Sequence, residues 1–379
     1  MRKTAAMFGV SLLTVQRWCE RAGREAIERV DWTDRSSMPK RTRRVEAETE
    51  RVVIILRREL KDESVLGEYG ARAIRQEMVF RGAGTIPSVR TIGRILERSG
   101  ELDGRRRIRR PPPPPGWYLP EVAARSTELD SFDAIEDHVL EGGSPVNVLT
   151  GISLHGGVAG AWPCSVVTAD DVLDALLGHW REVGLPGYVQ FDNAPLFIGM
   201  PARYRNVLSR VVRLCFCLGV VPVFVPLRET GFQASIESFN RLWAEKVWSR
   251  YFHASLDAVK SRSAAYIAAH RHKNAQRAER APARRRFPRD WKMDIKNPPP
   301  GRIILLRRAN GRGEVNVLGG SQYCSSGWPY RLVRCEVDLT EQNIRFYALR
   351  RKDPGNQPLL REIPYEFKIR TLDGVTSRH

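Results

Sequence analysis

Three acidic residues stand in elements that could aim their side chains at one point. Asp130 lies in Glu128-Leu129-Asp130, inside a run of strand character. Asp192 lies in Gln190-Phe191-Asp192-Asn193, at the end of a second strand pattern. Glu237 lies in Ala234-Ser235-Ile236-Glu237-Ser238-Phe239-Asn240-Arg241, near the start of a helix. Carboxylates held close together repel unless cations sit between them, so this set predicts a divalent-metal site with oxygen ligands. Any one of the three alone reads as a cap or a surface charge; the metal reading comes from their combination.

Strand alternation puts Asp130 and Phe132 on one face and Ser131 and Asp133 on the other. Asp130 is the expected first carboxylate and Asp133 its rival, with Glu136 and Asp137 weaker. Asp192 ends a strand, where ligand sites of α/β sheets commonly lie. The apolar stripe Ile236, Phe239, Trp243 and Val247 leaves Glu237 on another helix face with Asn240, Arg241 and Ala244. Arg241 and Lys246 suit phosphate clamping, although Arg241 could instead pair with Glu237 or Glu245.

The elements that must position these residues alternate through the middle of the chain. Strand patterns cover Thr127–Ile135, Val146–Leu154 and Gly157–Trp162, with Gly142-Gly143 turning between the first two. Ala169–Arg181 is a helix, Tyr188–Asp192 a strand, Val207–Leu218 a helix, Val220–Pro226 a strand and Gln233–Arg250 a helix. Three strands followed by this alternation predict a mixed sheet covered by helices.

Helical patterns precede this middle part. Thr4–Phe8, the turn at Gly9, and a helix capped by Ser11 and running from Leu12 to Arg21 predict a helix-turn-helix over residues 1–40. Val10, Leu13, Val15 and Trp18 would pack it; Thr14, Gln16, Arg17 and Arg21 would reach DNA. The module starts abruptly at Met1, which leaves open a preceding helix or a different start. Residues 41–104 predict a second helical DNA-binding module, with Arg90 and Arg94 on a helix capped by Ser88. An Arg/Pro-rich linker follows over residues 105–120. The α/β core with its trailing basic helix takes 121–290. Short β patterns over 295–379 predict a small antiparallel barrel, with Arg307, Arg308, Arg331, Arg345, Arg350 and Arg351 as surface cations.

The net charge of +19 over 379 residues is uneven. Residues 111–240 carry 7 Lys and Arg against 14 Asp and Glu, while every other part of the chain is basic. Basic flanks can grip a phosphate backbone while an acidic centre concentrates metal ions. The six cysteines form no CxxC pair, and Cys215 and Cys217 lie in an apolar helical run, which argues against zinc. No signal peptide or long apolar run is evident, so a cytosolic protein with reduced thiols is expected.

Taken together, Glu128-Leu129-Asp130, Phe191-Asp192-Asn193, Thr230–Asn240, Asp34–Pro39 and Gly151–Gly157 resemble the DDE transposases and integrases of the retroviral-integrase superfamily, in its bacterial insertion-sequence branch. The resemblance spans nearly the whole chain. It implies N-terminal helix-turn-helix modules, an RNase H-like core and a C-terminal barrel. It further implies that Asp130, Asp192 and Glu237 hold two Mg2+ (or Mn2+) ions for in-line attack on a phosphodiester, cleaving element ends and joining them to target DNA. Double-stranded DNA as partner, at least a dimer on that DNA, no membrane, and a bacterial cytoplasmic, nucleoid-associated location follow from the same likeness. Departures are Ala194-Pro195-Leu196-Phe197 after the Asp-Asn pair, a 45-residue separation of Asp192 and Glu237 with the excess in 199–206, and no zinc-binding His/Cys module. Two other readings remain: a DNA-binding regulator or scaffold with a decayed core, and an RNase H-like nuclease acting on RNA–DNA hybrids.

Overall fold

Caps and apolar spacing set the helices at the start of the chain. The computed structural model describes residues 1–33, 45–102, 115–199, 207–227 and 229–366. The Asp34–Pro39 motif, residues 105–114 of the expected linker and residues 200–206 therefore lie outside the described residues. Met1–Val52 forms one compact unit and Val53–His379 another.

In the first unit, α1 (Arg2–Met7) and α2 (Leu12–Ala22) are joined through Gly9 at φ +62°. Ser11 caps α2 as expected, its Oγ accepting from the Thr14 N–H at 3.1 Å. The expected packing of this pair does not form: Val10, Leu13 and Trp18 are exposed, and α2 buries no residue. Two helices this short have little surface to offer each other. Trp18 instead lies against Trp32, with ring centroids 5.2 Å apart.

In the second unit, α3 (Ala47–Glu63) from Val53 onward, α4 (Ala71–Phe80) and α5 (Val89–Arg98) share a small core of Val53, Leu56, Ile74, Met78, Ile92, Ile95 and Leu96. Ser88 caps α5, again by accepting from the N–H three residues on, at 3.1 Å. A short helix, α6 (Pro120–Ala123), leads into the sheet.

The sheet then builds as β1 (Leu129–Val139), β2 (Pro145–Ser153), β3 (Ala159–Cys164), α7 (Ala169–Val183), β4 (Tyr188–Phe191), α8 (Pro195–Ile198), α9 (Arg210–Cys217), β5 (Val221–Phe224) and α10 (Ala234–Trp243). A π-helical turn, Ala244–Trp248, interrupts the single helix expected here, and Trp248 stacks on His138 with centroids 4.5 Å apart. After it come α11 (Leu256–Lys273), α12 (Ala275–Glu279), β6 (Arg302–Arg308), β7 (Glu314–Val317), β8 (Gly320–Tyr323), β9 (Leu332–Asp338), β10 (Asn343–Ala348) and β11 (Leu359–Pro364).

Strands β1 to β3 are antiparallel neighbours, and β4 and β5 run parallel to β1. This is the expected mixed sheet. One face packs Phe132, Leu176, Trp180, Phe191 and Val212 beneath α7 and α9; the other packs Val148, Ile152, Ile236, Phe239 and Trp243 beneath α10 and α11. None of the described helices is long and apolar enough to cross a membrane.

The expected separate barrel over 295–379 is not what the described residues form. β6 pairs in parallel with β5, Val223 opposite Ile304 and Phe224 opposite Leu305, and β9, β10 and β11 continue the same nine-stranded sheet. Only β7 and β8 form a separate two-stranded hairpin. The physical reason lies in Ile303-Ile304-Leu305-Leu306. A strand apolar at four successive positions needs cover on both faces, as an interior strand does. Ile303 and Leu305 join the cluster around Trp180, while Ile304 and Leu306 join Trp117, Val223 and Phe232.

A chain ended after residue 297 would strip β5 of β6, one of its two partners, and open both clusters to water. Such a protein is expected to lose cooperative thermal unfolding when followed by circular dichroism. A sharp transition like that of the full chain would show that residues 298–379 form an independent domain after all.

Candidate active site

Register fixes which acids can meet. β1 and β4 pair in parallel as Leu129–Tyr188, Asp130–Val189 and Ser131–Gln190. Continued by two residues, that register brings Asp133 beside Asp192. On the other side of β1, Thr150 of β2 stands directly opposite Asp133. Asn240 of α10 ties these together: its Nδ2 donates to Asp133 Oδ2 at 2.8 Å, and its Oδ1 accepts from Thr150 Oγ1 at 2.6 Å. Glu237 sits one helical turn before Asn240 and is exposed. Buried Ile236, Phe239 and Trp243 seat α10 on the sheet with that polar face toward Asp133.

The electrostatics reflect this convergence. Burial pushes the Asp133 carboxyl up to about 6, and the charges of Asp192 and Glu237 push in the same direction. The Ala134 N–H and Asn240 amide oppose the rise without cancelling it. The Asp192 carboxyl is also raised by burial, against a 2.9 Å hydrogen bond from the Ala194 N–H. No Lys or Arg among the described residues forms an ion pair with Asp133, Asp192 or Glu237. Nor are any three His, Cys, Asp or Glu side chains among those residues gathered tightly enough to hold an ion unaided.

Asp130, the expected first carboxylate, is elsewhere. It is fully buried on the opposite sheet face, where Arg284 grips both of its oxygens and the Trp180 indole donates to Oδ2 at 3.0 Å. His179 Nε2 lies 4.0 Å away, and burial pulls that imidazole down to about 4, so it is neutral at pH 7. A carboxylate already neutralised by a guanidinium has no charge left to offer a metal. The two-residue period of β1 makes the separation unavoidable.

Several expected phosphate contacts are also otherwise engaged. Lys246 is half-buried and paired with Glu245 at 2.8 Å. Arg21 donates to the Thr33 carbonyl and lies over the Trp18 ring, while the half-buried Thr14 is hydrogen-bonded to Ser11 at 2.7 Å. In the basic stretch after the core, Arg271 reaches the Ala159 carbonyl, Arg277 the His155 and Leu154 carbonyls, and Arg285 the Leu218 and Gly219 carbonyls. With Arg284, these cations fasten the segment to the core. Gln16, Arg17, Arg90, Arg94 and Arg241 are exposed.

Among the expected surface cations of the C-terminal strands, Arg331 is exposed over Trp328 and Arg345 pairs with Glu362. Arg307 is half-buried and turned toward the loop after Asp192. The pattern did contain a signal for Asp133. Asp130 shares its face with Phe132, a core residue, whereas Asp133 shares its face with Ser131. Asn240 and Arg307 leave no comparable trace, because their roles depend on which strands and helices are neighbours.

No protein-family model matches the chain, and no curated protein matches it. Among solved structures, the HTLV-2 integrase catalytic core domain in complex with magnesium is similar at 14% identity and a TM-score of 0.27, over 35% of this chain and 81% of that one. The simian T-cell lymphotropic virus intasome matches at 12% identity and a TM-score of 0.30, over 50% of this chain and 66% of that one. The catalytic core domain of BIV integrase matches at 16% identity and a TM-score of 0.27, over 37% and 81%. Likenesses this distant decide nothing about chemistry, which rests on the chain's own residues.

Proposed function

We propose that this chain is a metal-dependent DNA strand transferase of the transposase and integrase type, with Asp133, Asp192 and Glu237 as its acidic site. The observation that carries the reading is the uncompensated like charge around Asp133. Its carboxyl is raised first by burial and further by two other acids, and it is paired with no cation among the described residues. Leaving charge in that state is unfavourable unless a ligand neutralises it.

The donor set fits a hard cation. All three side chains offer carboxylate oxygens, which suit Mg2+ or Mn2+. Bound there, two such ions would supply Lewis acidity to the attack on, and departure from, a phosphodiester. The chain's own groups have separate tasks. Asn240 orients Asp133 through Oδ2 and the Ala134 N–H through Oδ1, and each oxygen keeps a further lone pair for coordination. Exposed Arg241, on the same helix as Glu237, would hold a substrate phosphate. Gln16, Arg17, Arg90 and Arg94 would hold duplex DNA along its backbone and grooves. Pairing two DNA ends requires at least two copies of the chain on DNA.

Three outcomes are expected. In thermal melts, Mn2+ should raise the unfolding temperature of the wild type but not of Asp133→Asn or Asp192→Asn. Asp130→Asn should keep that response while losing about 3 kcal/mol of stability, because Arg284 is left buried without its partner. The same separation should appear in divalent-dependent nicking of plasmid DNA: abolished in Asp133→Asn and retained in Asp130→Asn at temperatures where it stays folded. If Asp133→Asn cleaves as well as wild type, the site is wrong; if wild-type protein binds DNA but never cleaves, a DNA-binding scaffold is the better description.

The raised Asp133 carboxyl also sets a pH dependence for the metal-free protein. Its folded value of about 6 exceeds the ordinary 3.8, so the folded state binds this proton more tightly than the unfolded state does. That contribution to stability is fully present below about pH 4 and is lost as pH rises through 6. Asp133→Asn should therefore gain stability relative to wild type across that window, reaching on the order of 2–3 kcal/mol above pH 7. Urea denaturation at pH 4 and pH 7.5 measures the difference, and an equal gap at both pH values would contradict it.

A further inference from the structure

The loop after Asp192 is fastened by a residue more than a hundred positions downstream. Asn193 Nδ2 donates to the Val225 carbonyl at 2.6 Å, and Arg307 Nη2 on β6 donates to Asn193 Oδ1 at 2.9 Å. The rest of the Arg307 guanidinium is used as well: Nη1 reaches the Leu306 carbonyl at 2.9 Å and the Val225 carbonyl at 3.3 Å, and Nε reaches the Asn316 carbonyl at 3.2 Å. Burial pulls this guanidinium down to about 10, which still leaves it charged at neutral pH.

A second tie holds the approach to α10. Arg308 Nε donates to Glu229 Oε1 at 2.5 Å, and Arg351 lies 3.7 Å from the other oxygen of the same carboxylate. Arg351 also donates to the Thr230 carbonyl at 2.7 Å and lies over the Phe232 ring. Phe232 is buried five residues before Glu237.

We infer that Arg307, Arg308 and Arg351 are positioning residues for the acidic site, holding the Asp192 loop through Asn193 and the start of the Glu237 helix through Glu229 and Thr230. The inference rests on the proposed metal site at Asp133, Asp192 and Glu237. It assigns the C-terminal strands a task other than gripping DNA. Groups that orient ligating carboxylates through hydrogen bonds change metal affinity about 10- to 100-fold when removed. A guanidinium that only fills space and satisfies carbonyls would change stability alone.

The test is a Mn2+ titration of the full chain read by thermal shift, with no DNA and no turnover. Arg307→Met and Asn193→Ala should each raise the Mn2+ midpoint about tenfold or more. Their double variant should be no worse than the weaker single one, as for two members of one chain of contacts. Arg307→Lys, which keeps the charge but not the fork of donors, should recover only part of the affinity. If Arg307→Met lowers the metal-free unfolding temperature yet leaves the midpoint at the wild-type value, the positioning role is overturned; additive effects in the double variant would overturn the route through Asn193. Glu229→Gln should also raise the midpoint, and an unchanged value would overturn the part of the proposal concerning Glu237. Absence of any Mn2+ response in the wild type would instead sink the metal site itself, and this inference with it.

Discussion

Strand β1 has to serve two faces of one sheet. Asp130 and Asp133 are three residues apart on an extended backbone, so they point to opposite sides whatever else the chain does. On the side of α7, the pocket beneath Trp180 would make an unpaired carboxylate very costly, and Arg284 supplies the opposing charge. On the side of α10 no described cation arrives, and Asp133 faces two further acids. One strand thus carries an aspartate neutralised by Arg284 and another whose carboxyl is raised by burial and by neighbouring acids. The difference between them comes from their neighbours and not from the residue type.

The ion pair on the first face has a further consequence. Arg284 belongs to the segment after α12, and its grip on Asp130 is accompanied by the β-bridge between Leu185 and Arg285 and by the contacts of Arg271 and Arg277 with the β2–β3 region. This chain of guanidinium–carbonyl bonds draws the basic segment along the core and delivers the polypeptide to β6. There Ile304 and Leu305 complete the open edge of β5. The sheet extension and the tail are therefore one construction, in which arginines satisfy carbonyls that strands and helix ends leave without partners.

Much of the fold could be read in advance because it depends on local patterns. Ser11 and Ser88 announce their helices, and the order of strands and helices from Thr127 to Trp243 predicts a mixed sheet whose elements match to within a few residues. What escaped were pairings between distant segments. Short β patterns after Pro298 looked like a self-contained barrel because each strand is brief and each turn is polar. Only the four-residue apolar run at Ile303–Leu306 hinted at cover on both sides, and its partner strand lies about eighty positions upstream. The neighbours of Asp130 and Asp133 depend on distant segments for a related reason. Alternation places Asp130 and Asp133 on opposite faces, and Ser131 beside Asp133 is only a weak cue to which face Trp180 and Arg284 fill. The trailing arginines were similarly opaque, since a basic run looks the same whether it faces phosphate or carbonyl.

That last point bears on how the charge of the chain should be weighed. A net charge of +19 suggests a broad surface for nucleic acid, yet Arg213, Arg271, Arg277, Arg284, Arg285 and Arg307 all spend donors on the chain's own carbonyls or carboxylates. Arg284 is neutralised by Asp130, and Arg213 is buried away from solvent, whereas Arg277 and Arg285 bond only neutral carbonyls, stay exposed and keep their charge. Exposed cations among the described residues include Arg17 on α2, Arg90 and Arg94 on α5 and Arg241 on α10, beside others such as Arg286, Arg289, Arg312 and Arg331 outside the helices. Helix faces present such side chains in rows three and four residues apart, which suits a groove or a backbone track better than a diffuse basic surface does. Asp133, Asp192 and Glu237, the proposed acidic site, lie in the net-acidic part of the chain over 111–240, where no described ion pair cancels their charge.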